Sequence, residues 1–407
     1  MAHRVLISGA SVAGPMLAHW LRRAGLDVTV VERTAGARTA LSGHAVDLFG
    51  PAVDIAEWAG VLPAIEAART HSEDLWWERP GRATVEVDVA RLAAGMADRH
   101  VEVMRGELVR ILHEHTRDGV EYMFGDSITS IETDADGVDV TFERGAPRRF
   151  DLVVGADGLH SNVRRLTFGP EEEFLHDLGG HVAVFSVTGS TPDELGPPGT
   201  TRTYAEVDRL SVVYPVRQTG QTRVVLLWRG PAGSHSRRDT EAQRRAVRAA
   251  FSGSGWLLPD LLERMEHSDD LYVDTISQVR MPTWSLGRVA LVGDAGYSPG
   301  PAIGGGTSLA VLGAYLFAQE LARAGGDPVV AFPAYERRLA EPVQAFQQMA
   351  PKLMQSGLRT SRAQVATSAW ILRVWARLPV RLQRAISSAQ GGPAKAFEGF
   401  QVEPPAA

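Results

Sequence analysis

The sequence predicts an α/β fold in which a Rossmann-like domain is interleaved with an antiparallel-sheet (α+β) domain and followed by C-terminal helices. A glycine-rich turn, Gly9 to Gly14, stands between two apolar segments near the start of the chain, and a second glycine-rich segment follows Gly293-Asp294. Between them, residues 181–230 alternate β-branched or aromatic residues with polar ones. That alternation is typical of an antiparallel sheet with one buried face.

The first element is a βαβ unit: residues 5–7 are typical of a buried parallel strand, 15–24 of a helix and 28–31 of a second strand. Glu32, followed by Arg33, ends the second strand, where a carboxylate can accept hydrogen bonds from a ribose that lacks a 2′-phosphate. The helix N-terminus directs free N–H groups at a pyrophosphate. The residues of this turn are Gly9, Ser11, Val12, Ala13 and Gly14. Ser11 replaces the usual middle glycine, so a turn that uses glycine only for packing stays an alternative.

The elements that follow alternate helices and strands without repeating a simple doubly wound pattern. Further helices are expected at residues 51–59, 105–116, 239–250 and 307–323, and in a tail from 343 with breaks at Pro351 and Pro379. Further strands are expected as a pair within 73–89, as a hairpin over 125–142, at 150–155, as four antiparallel segments within 181–228, and at 287–292.

The second glycine-rich segment is also predicted to bind a ligand. The strand at 287–292 delivers Gly293-Asp294 to the carboxyl edge of a sheet, where α/β proteins bind ligands. Asp294 can accept from a ribitol or ribose hydroxyl there, although a turn-capping aspartate is the alternative. Gly304, Gly305 and Gly306 lead into a helix at Thr307, so N–H groups and the helix dipole face the ligand. A ring that becomes negative on reduction suits this site, so the two segments together predict a flavin dinucleotide.

Composition excludes several classes of protein. A chain of 407 residues with 44% apolar content can bury the cores of two or three domains, and a net charge of −6 gives no sign of nucleic-acid binding. The absence of cysteine excludes disulfides, thiolate nucleophiles and iron–sulfur clusters. The twelve histidines show no metal-ligand spacing, so no metal site is expected. We expect a cytoplasmic monomer or homodimer with no integral membrane segment.

Four motifs in order resemble those of the single-component flavin monooxygenases of the para-hydroxybenzoate hydroxylase type, nearest to the tetracycline-inactivating monooxygenases. The motifs are Gly9 to Gly14 with Glu32-Arg33, Arg105-Gly106-Glu107-Leu108, Asp157-Gly158 with Ser161 and Arg164, and Gly293-Asp294. The resemblance spans residues 3–345. It implies that Arg105 lies near the flavin pyrophosphate and that Asp157-Gly158 serves flavin and pyridine nucleotide binding.

Other positions match the family less closely. Arg38, His44 and Asp47 occupy the loop that in relatives approaches the ribityl chain and the flavin edge. Tyr297 stands where the family often has histidine, and Gly313 lies near the position of a family acidic residue. Neither is therefore carried over as a functional group.

The resemblance implies an FAD-dependent monooxygenase with non-covalent FAD and NADPH or NADH as co-substrate. It would hydroxylate or epoxidise an aromatic, polycyclic or terpenoid small molecule through a flavin C4a-hydroperoxide, so the flavin carries the chemistry. Candidates beside the flavin are His44, Tyr297 and Pro301. Candidate substrate contacts are His181, Phe185, Tyr204, Tyr214 and Trp228, each of which has a core role as its alternative.

The expected FAD-binding domain comprises residues 1–72, 100–175 and 270–342. The substrate-binding sheet domain comprises 73–99 and 176–269, and a C-terminal helical segment comprises 343–407. The tail carries apolar residues at helical spacing from Ile371 to Ile386 with arginines around them. Such a helix docks on the core or lies on a membrane surface.

Other functions on the same scaffold remain alternatives. Flavin-dependent halogenation needs a lysine between flavin and substrate, and the only lysines are Lys352 and Lys395. A reductase of prenyl double bonds would not consume oxygen stoichiometrically. A non-catalytic flavin-binding protein would not oxidise NAD(P)H when substrate is present.

Overall fold

The computed structural model confirms the α/β class. It describes residues 3–36, 43–70, 72–89, 99–189, 195–217, 219–231, 239–301, 304–379, 381–383, 397 and 400–405. Its strands are β1 (Arg4–Ser8), β2 (Asp27–Glu32), β3 (Ala45–Phe49), β4 (Asp74–Glu78), β5 (Val85–Asp88), β6 (His100–Met104), β7 (Glu121–Phe124), β8 (Ile128–Thr133), β9 (Val138–Phe142), β10 (Arg148–Phe150), β11 (Leu152–Gly155), β12 (Leu175–Val187), β13 (Thr200–Glu206), β14 (Arg209–Val216), β15 (Gln221–Arg229), β16 (Tyr272–Val279), β17 (Ser285–Leu286) and β18 (Val289–Leu291). Its helices are α1 (Ala13–Arg23), α2 (Pro51–Trp58), α3 (Leu62–Ala67), α4 (Arg105–Thr116), α5 (Asn162–Thr167), α6 (Thr240–Ala250), α7 (Leu258–Met265), α8 (Asp294–Tyr297), α9 (Gly306–Arg323), α10 (Pro328–Gly357) and α11 (Arg362–Trp375).

A six-stranded sheet in the order β17-β18-β11-β1-β2-β7 forms the first core. All neighbouring strands are parallel except β17 and β18. Residues 5–7, 152–154 and 289–291 are completely buried, as their continuous apolar character predicts for a parallel sheet covered on both faces. The carboxyl ends of β1, β2, β11 and β18 meet at one edge, which carries Gly9, Glu32, Asp157 and Gly293.

A seven-stranded sheet in the order β16-β12-β15-β14-β13-β4-β5 forms the second core, with only β13 and β4 parallel. One face packs against α6 and α7, and the other packs near its centre against the end of α10. Strand β16 belongs to this sheet, although the predicted boundary at residue 270 assigned it to the FAD-binding part. The division into domains otherwise stays a prediction. Two smaller antiparallel sheets are β10-β9-β8 and β3-β6.

Helix α10 differs from the expectation for the C-terminal segment. It runs through Pro333, Pro342 and Pro351 and ends at Gly357, so the expected break at Pro351 is wrong. A proline removes one backbone hydrogen bond, but the packing of a buried helix face can hold the helix together. That face includes Phe346 and Met354.

Candidate functional site

The turn between β1 and α1 needs glycine at two positions. Gly9 has φ of +108°, and a Cβ added there would lie 2.5 Å from the Ala156 carbonyl oxygen. A Cβ added at Gly14 would lie 1.9 Å from the Gly9 carbonyl oxygen. Among the described side chains none caps the N-terminus of α1, and its first turn holds no acidic residue. The N–H groups of Ala13 and its neighbours, behind a half-buried Ser11 and a buried Val12, are therefore suited to an anion.

Glu32 lies beside this turn. Its Oε2 accepts the Ala10 N–H at 2.9 Å, and its Oε1 accepts the Thr34 N–H at 2.9 Å and the Thr34 hydroxyl. A carboxylate offers about four acceptor positions, so these contacts orient Glu32 and leave capacity for a ribose hydroxyl. Arg33 is exposed next to it. Arg38 lies outside the described residues.

The Asp157-Gly158 turn is braced from within. The Asp157 carboxylate accepts the hydroxyl of Ser161 and the N–H groups of Asn162 and Val163 at 2.9 and 3.1 Å, so it holds the start of α5. Burial raises its pKa. Gly158 has φ of +85° with open space on its side-chain side.

Arg164 connects this turn to the next one. Its side chain is completely buried and donates to the carbonyl oxygens of Ala295 at 2.8 Å and Leu159 at 2.7 Å. Ala295 follows Asp294 directly. One guanidinium group therefore connects Asp157-Gly158 and Gly293-Asp294, two of the four motifs on which the resemblance rests.

Asp294 lies in a deep cleft. Its side chain is accessible to solvent, yet desolvation by the surrounding protein raises its pKa, against the opposing effects of Ser298 and Arg105. A Cβ added at Gly306, the first residue of α9, would lie 3.7 Å from its Oδ1. Asp294, Arg105 and the start of α9 with Thr307 therefore surround a common space.

The loop before α9 also depends on glycine. A Cβ added at Gly305 would lie 2.0 Å from the ring of Phe346, and one added at Gly304, which has φ of +72°, would lie 3.2 Å from Asp47 Oδ2. Asp47 is paired with His100, whose Nε2 lies 2.6 Å from Oδ1. The loop, Asp47 and the cleft of Asp294 are therefore adjacent.

His44 stands between this cleft and an apolar cavity. Burial, followed by the charges of Arg105 and Arg223, lowers its pKa to about 4, so its imidazole is neutral at neutral pH. The cavity has a volume of about 220 Å³. It is lined by His44, Val182, Leu210, Val225, Leu227, Pro301, Leu353, Met354, Gly357 and Leu358.

Tyr214 lies near the same place, because its hydroxyl accepts the N–H of Ala45 at 2.9 Å. Three of the residues that the sequence singled out, His44, Pro301 and Tyr214, are thus brought together. The other four substrate candidates are not. Phe185, Tyr204 and Trp228 pack in the cluster beneath α6 and α7, and His181 stacks on Trp228.

The strand period of two explains that difference. Val182 and Leu227, which pair across β12 and β15, face the cavity, whereas the next pair, His181 and Trp228, faces the opposite side. The alternation in the sequence shows that each strand has two faces, but it does not show which face contacts the ligand.

Tyr297 is also placed away from the cleft. It is completely buried, and its hydroxyl lies 3.0 Å from that of Tyr335. A Cβ added at Gly313 would lie 1.9 Å from the Tyr297 hydroxyl oxygen, so this tyrosine occupies the space that a side chain at 313 would need. The two departures from the family pattern are therefore coupled in space.

A polar network beside the cleft was not anticipated. The Tyr272 hydroxyl donates to Asp274 Oδ2 at 2.6 Å, and the two ring nitrogens of His160 lie 2.8 Å from Asp274 and Glu171. Burial lowers the pKa of His160, but its hydrogen bonds to the two carboxylates outweigh that effect and raise the pKa. His160, Glu171 and the Tyr272–Asp274 pair come from three separate segments, and no local signal in the sequence brings them together.

Comparisons with known proteins identify the family of the chain. The model of the FAD binding domain family matches residues 2–327. An uncharacterized protein of Mycobacterium tuberculosis (strain ATCC 25618 / H37Rv), Rv1260, is 42% identical over 333 residues, which is 81% of this chain and 88% of that protein. A flavin-dependent monooxygenase of Legionella longbeachae serogroup 1 (strain NSW150) is 36% identical over 344 residues, covering 84% and 87% of the two chains.

A solved structure extends the similarity to the fold. The tetracycline destructase Tet(51) superposes with a TM-score of 0.80 and 32% identity, covering 95% of this chain and 99% of that one. The glycine turns, Glu32 and the Asp294 cleft have the chemistry expected of an FAD site. The chain belongs to the FAD-binding monooxygenases of the para-hydroxybenzoate hydroxylase type, and it is an oxidoreductase.

Proposed function

We propose that the protein uses NAD(P)H and O₂ to hydroxylate or epoxidise an apolar small molecule that binds in the cavity beside His44. The observation that carries this proposal is the position of that cavity. It shares Pro301 with the loop that leads to Gly304, and it shares His44 with the segment that leads to Asp47. A substrate in the cavity would therefore lie next to the FAD cleft.

The residues of the cleft suit FAD. The start of α1 would hold the pyrophosphate, Glu32 a ribose, and Asp294 a hydroxyl of the ribityl chain. Arg105 would lie near the pyrophosphate, and the start of α9 would place positive potential near the isoalloxazine. When bound, FAD supplies the redox chemistry that transfers one oxygen atom from O₂.

The chain itself would orient the substrate, exclude water from the cavity and supply a hydrogen-bonding group. Neutral His44 offers one N–H donor and one ring-nitrogen acceptor at the mouth of the cavity. The aliphatic walls exclude water, which strengthens each polar contact at that mouth.

The lining indicates the class of substrate. Val182, Val225 and Leu227 form one wall, and Leu353 and Met354 of α10 form another. Such walls favour an uncharged ring system, as in aromatic, polycyclic or terpenoid compounds. Likeness to a tetracycline destructase supports the polycyclic case. Flexible Met354 can adjust the volume of the cavity to larger rings.

A screen of polycyclic aromatic and terpenoid compounds tests the proposal. We expect a matching compound to stimulate NADPH or NADH oxidation and to yield a product heavier by one oxygen atom in mass spectrometry. Oxidation that no compound stimulates would argue for a non-catalytic flavoprotein. Turnover that proceeds equally without oxygen would favour a flavin-dependent reductase instead.

A further inference from the structure

The C-terminal helix α11 presents an apolar stripe to solvent. Trp370, Ile371 and Val374 are 63%, 50% and 40% exposed, and Leu382 beyond the helix is 49% exposed. The opposite side of α11 packs on the edge of the seven-stranded sheet through Ala369 and Leu372. The stripe is therefore not needed for packing, and adjacent exposed side chains of this size mark an interaction surface.

Charge around the stripe is strongly one-sided. Between Glu341 and Glu398 the chain has no acidic residue. The same stretch carries eight basic residues: Lys352, Arg359, Arg362, Arg373, Arg377, Arg381, Arg384 and Lys395. Since the whole chain has a net charge of −6, the remainder carries −14, which is −6 minus +8. The stripe thus lies in a positively charged segment of a chain whose net charge is negative.

The cationic region extends beyond α11. Burial, followed by the charges of Arg373 and Arg82, lowers the pKa of Arg79, so Arg79, which follows β4, lies within electrostatic range of Arg373 on the helix. Glu86 and Asp88 of β5 line the cavity beneath the helix, which Arg373 and Arg377 also line while both arginines remain exposed to solvent. The acidic groups therefore lie on the sheet side of the helix.

We propose that α11 is a peripheral docking surface for an anionic lipid bilayer. Trp370, Ile371 and Val374 enter the headgroup region, and Arg373, Arg377 and Arg381, which are exposed, contact lipid phosphates. Charge complementarity selects this occupant over a second copy of the chain, because a symmetric contact would bring two cationic segments together. No helix in the described part of the chain is long and apolar enough to cross a membrane, so the contact is with the surface.

Vesicle flotation of the full-length, FAD-loaded protein tests the proposal. We expect binding to vesicles of phosphatidylcholine with phosphatidylglycerol, weakened by salt, and much less binding to phosphatidylcholine alone. Trp370→Ser with Ile371→Ser should reduce binding at least tenfold. Val329→Ser with Val330→Ser is the matched control, because these residues are 78% and 59% exposed on α10, and it should bind as the wild type does.

A charge series separates the two contributions. Arg373→Glu and Arg377→Glu should each weaken binding by about fivefold or more, whereas Arg117→Glu, on a 62% exposed side chain after α4, should have little effect. FAD content confirms that each variant is folded. Equal binding to neutral vesicles, no binding at all, or a dimer that Trp370→Ser converts to a monomer would each overturn the proposal.

Discussion

Replacing Asp294 by alanine is expected to weaken FAD binding while leaving the stability of the apoprotein intact. The carboxylate is accessible in the cleft, and desolvation raises its pKa, so its charge does not stabilise the empty fold. A hydrogen bond from a ribityl hydroxyl to a charged acceptor contributes about 1.5 to 3 kcal/mol, which corresponds to roughly a tenfold to 150-fold increase in Kd. At a fixed excess of FAD, a hundredfold weaker Kd removes about 2.7 kcal/mol of ligand-dependent stability.

The assay compares thermal unfolding with and without added FAD. We expect mild acid to remove the cofactor, because a chain without cysteine cannot form a thioether to it. Asp126 is a matched control: it is 6% exposed, and its carboxylate accepts the N–H groups of Ser127, Arg144 and Gly145. Asp126→Ala should lower Tm equally in both conditions. If Asp294→Ala behaved in the same way and kept the wild-type Kd, Asp294 would be a turn cap and the cleft argument would be refuted.

Three further predictions concern other parts of the site. Glu32→Ala should weaken FAD through the lost ribose contact, and an unchanged Kd in fluorescence titration would remove Glu32 from the site. Burial, and then the charge of Asp47, raises the pKa of Glu102 to about 7. The stability that protonated Glu102 contributes is therefore present below its unfolded pKa and lost as pH rises through 7. Between pH 5 and 8 the free energy of unfolding of Glu102→Gln, measured in urea, should rise relative to that of the wild type by at most about 3 kcal/mol. The same pH dependence in both proteins would contradict this. Leu227→Ala should change the KM for substrate with little loss of stability, because Leu227 lines the cavity. Leu226 is completely buried on the opposite face, so Leu226→Ala should lower the free energy of unfolding by about 2 to 5 kcal/mol and leave KM unchanged. The reverse pattern would show that the other face binds substrate.

Local patterns were sufficient to predict the elements that build the cofactor site. The positions of Gly9 and Gly14 in a tight turn and of Glu32 at a strand end could each be predicted from a few residues, whereas their part in binding FAD stays a prediction. The same holds for Gly293-Asp294. The α/β class followed from these units and from the alternation of the second sheet.

The substrate side could not be predicted in this way. Whether Val182 or His181 faces the ligand depends on how the whole sheet sits against α10, which is a tertiary property. Tyr297 is a sequence candidate beside the flavin, but the short helix α8 places its side chain in the core against Tyr335. The network joins Tyr272 and Asp274 of β16 to His160 in the turn before α5, 114 residues away from Asp274, so no short window of sequence contains it.

Labelled oxygen tests the central claim of a monooxygenase most directly. With a compound that stimulates NAD(P)H oxidation, turnover under ¹⁸O₂ should place one labelled atom in the product and the other in water. Product whose oxygen comes only from the solvent, or product formed in the absence of O₂, would contradict the account.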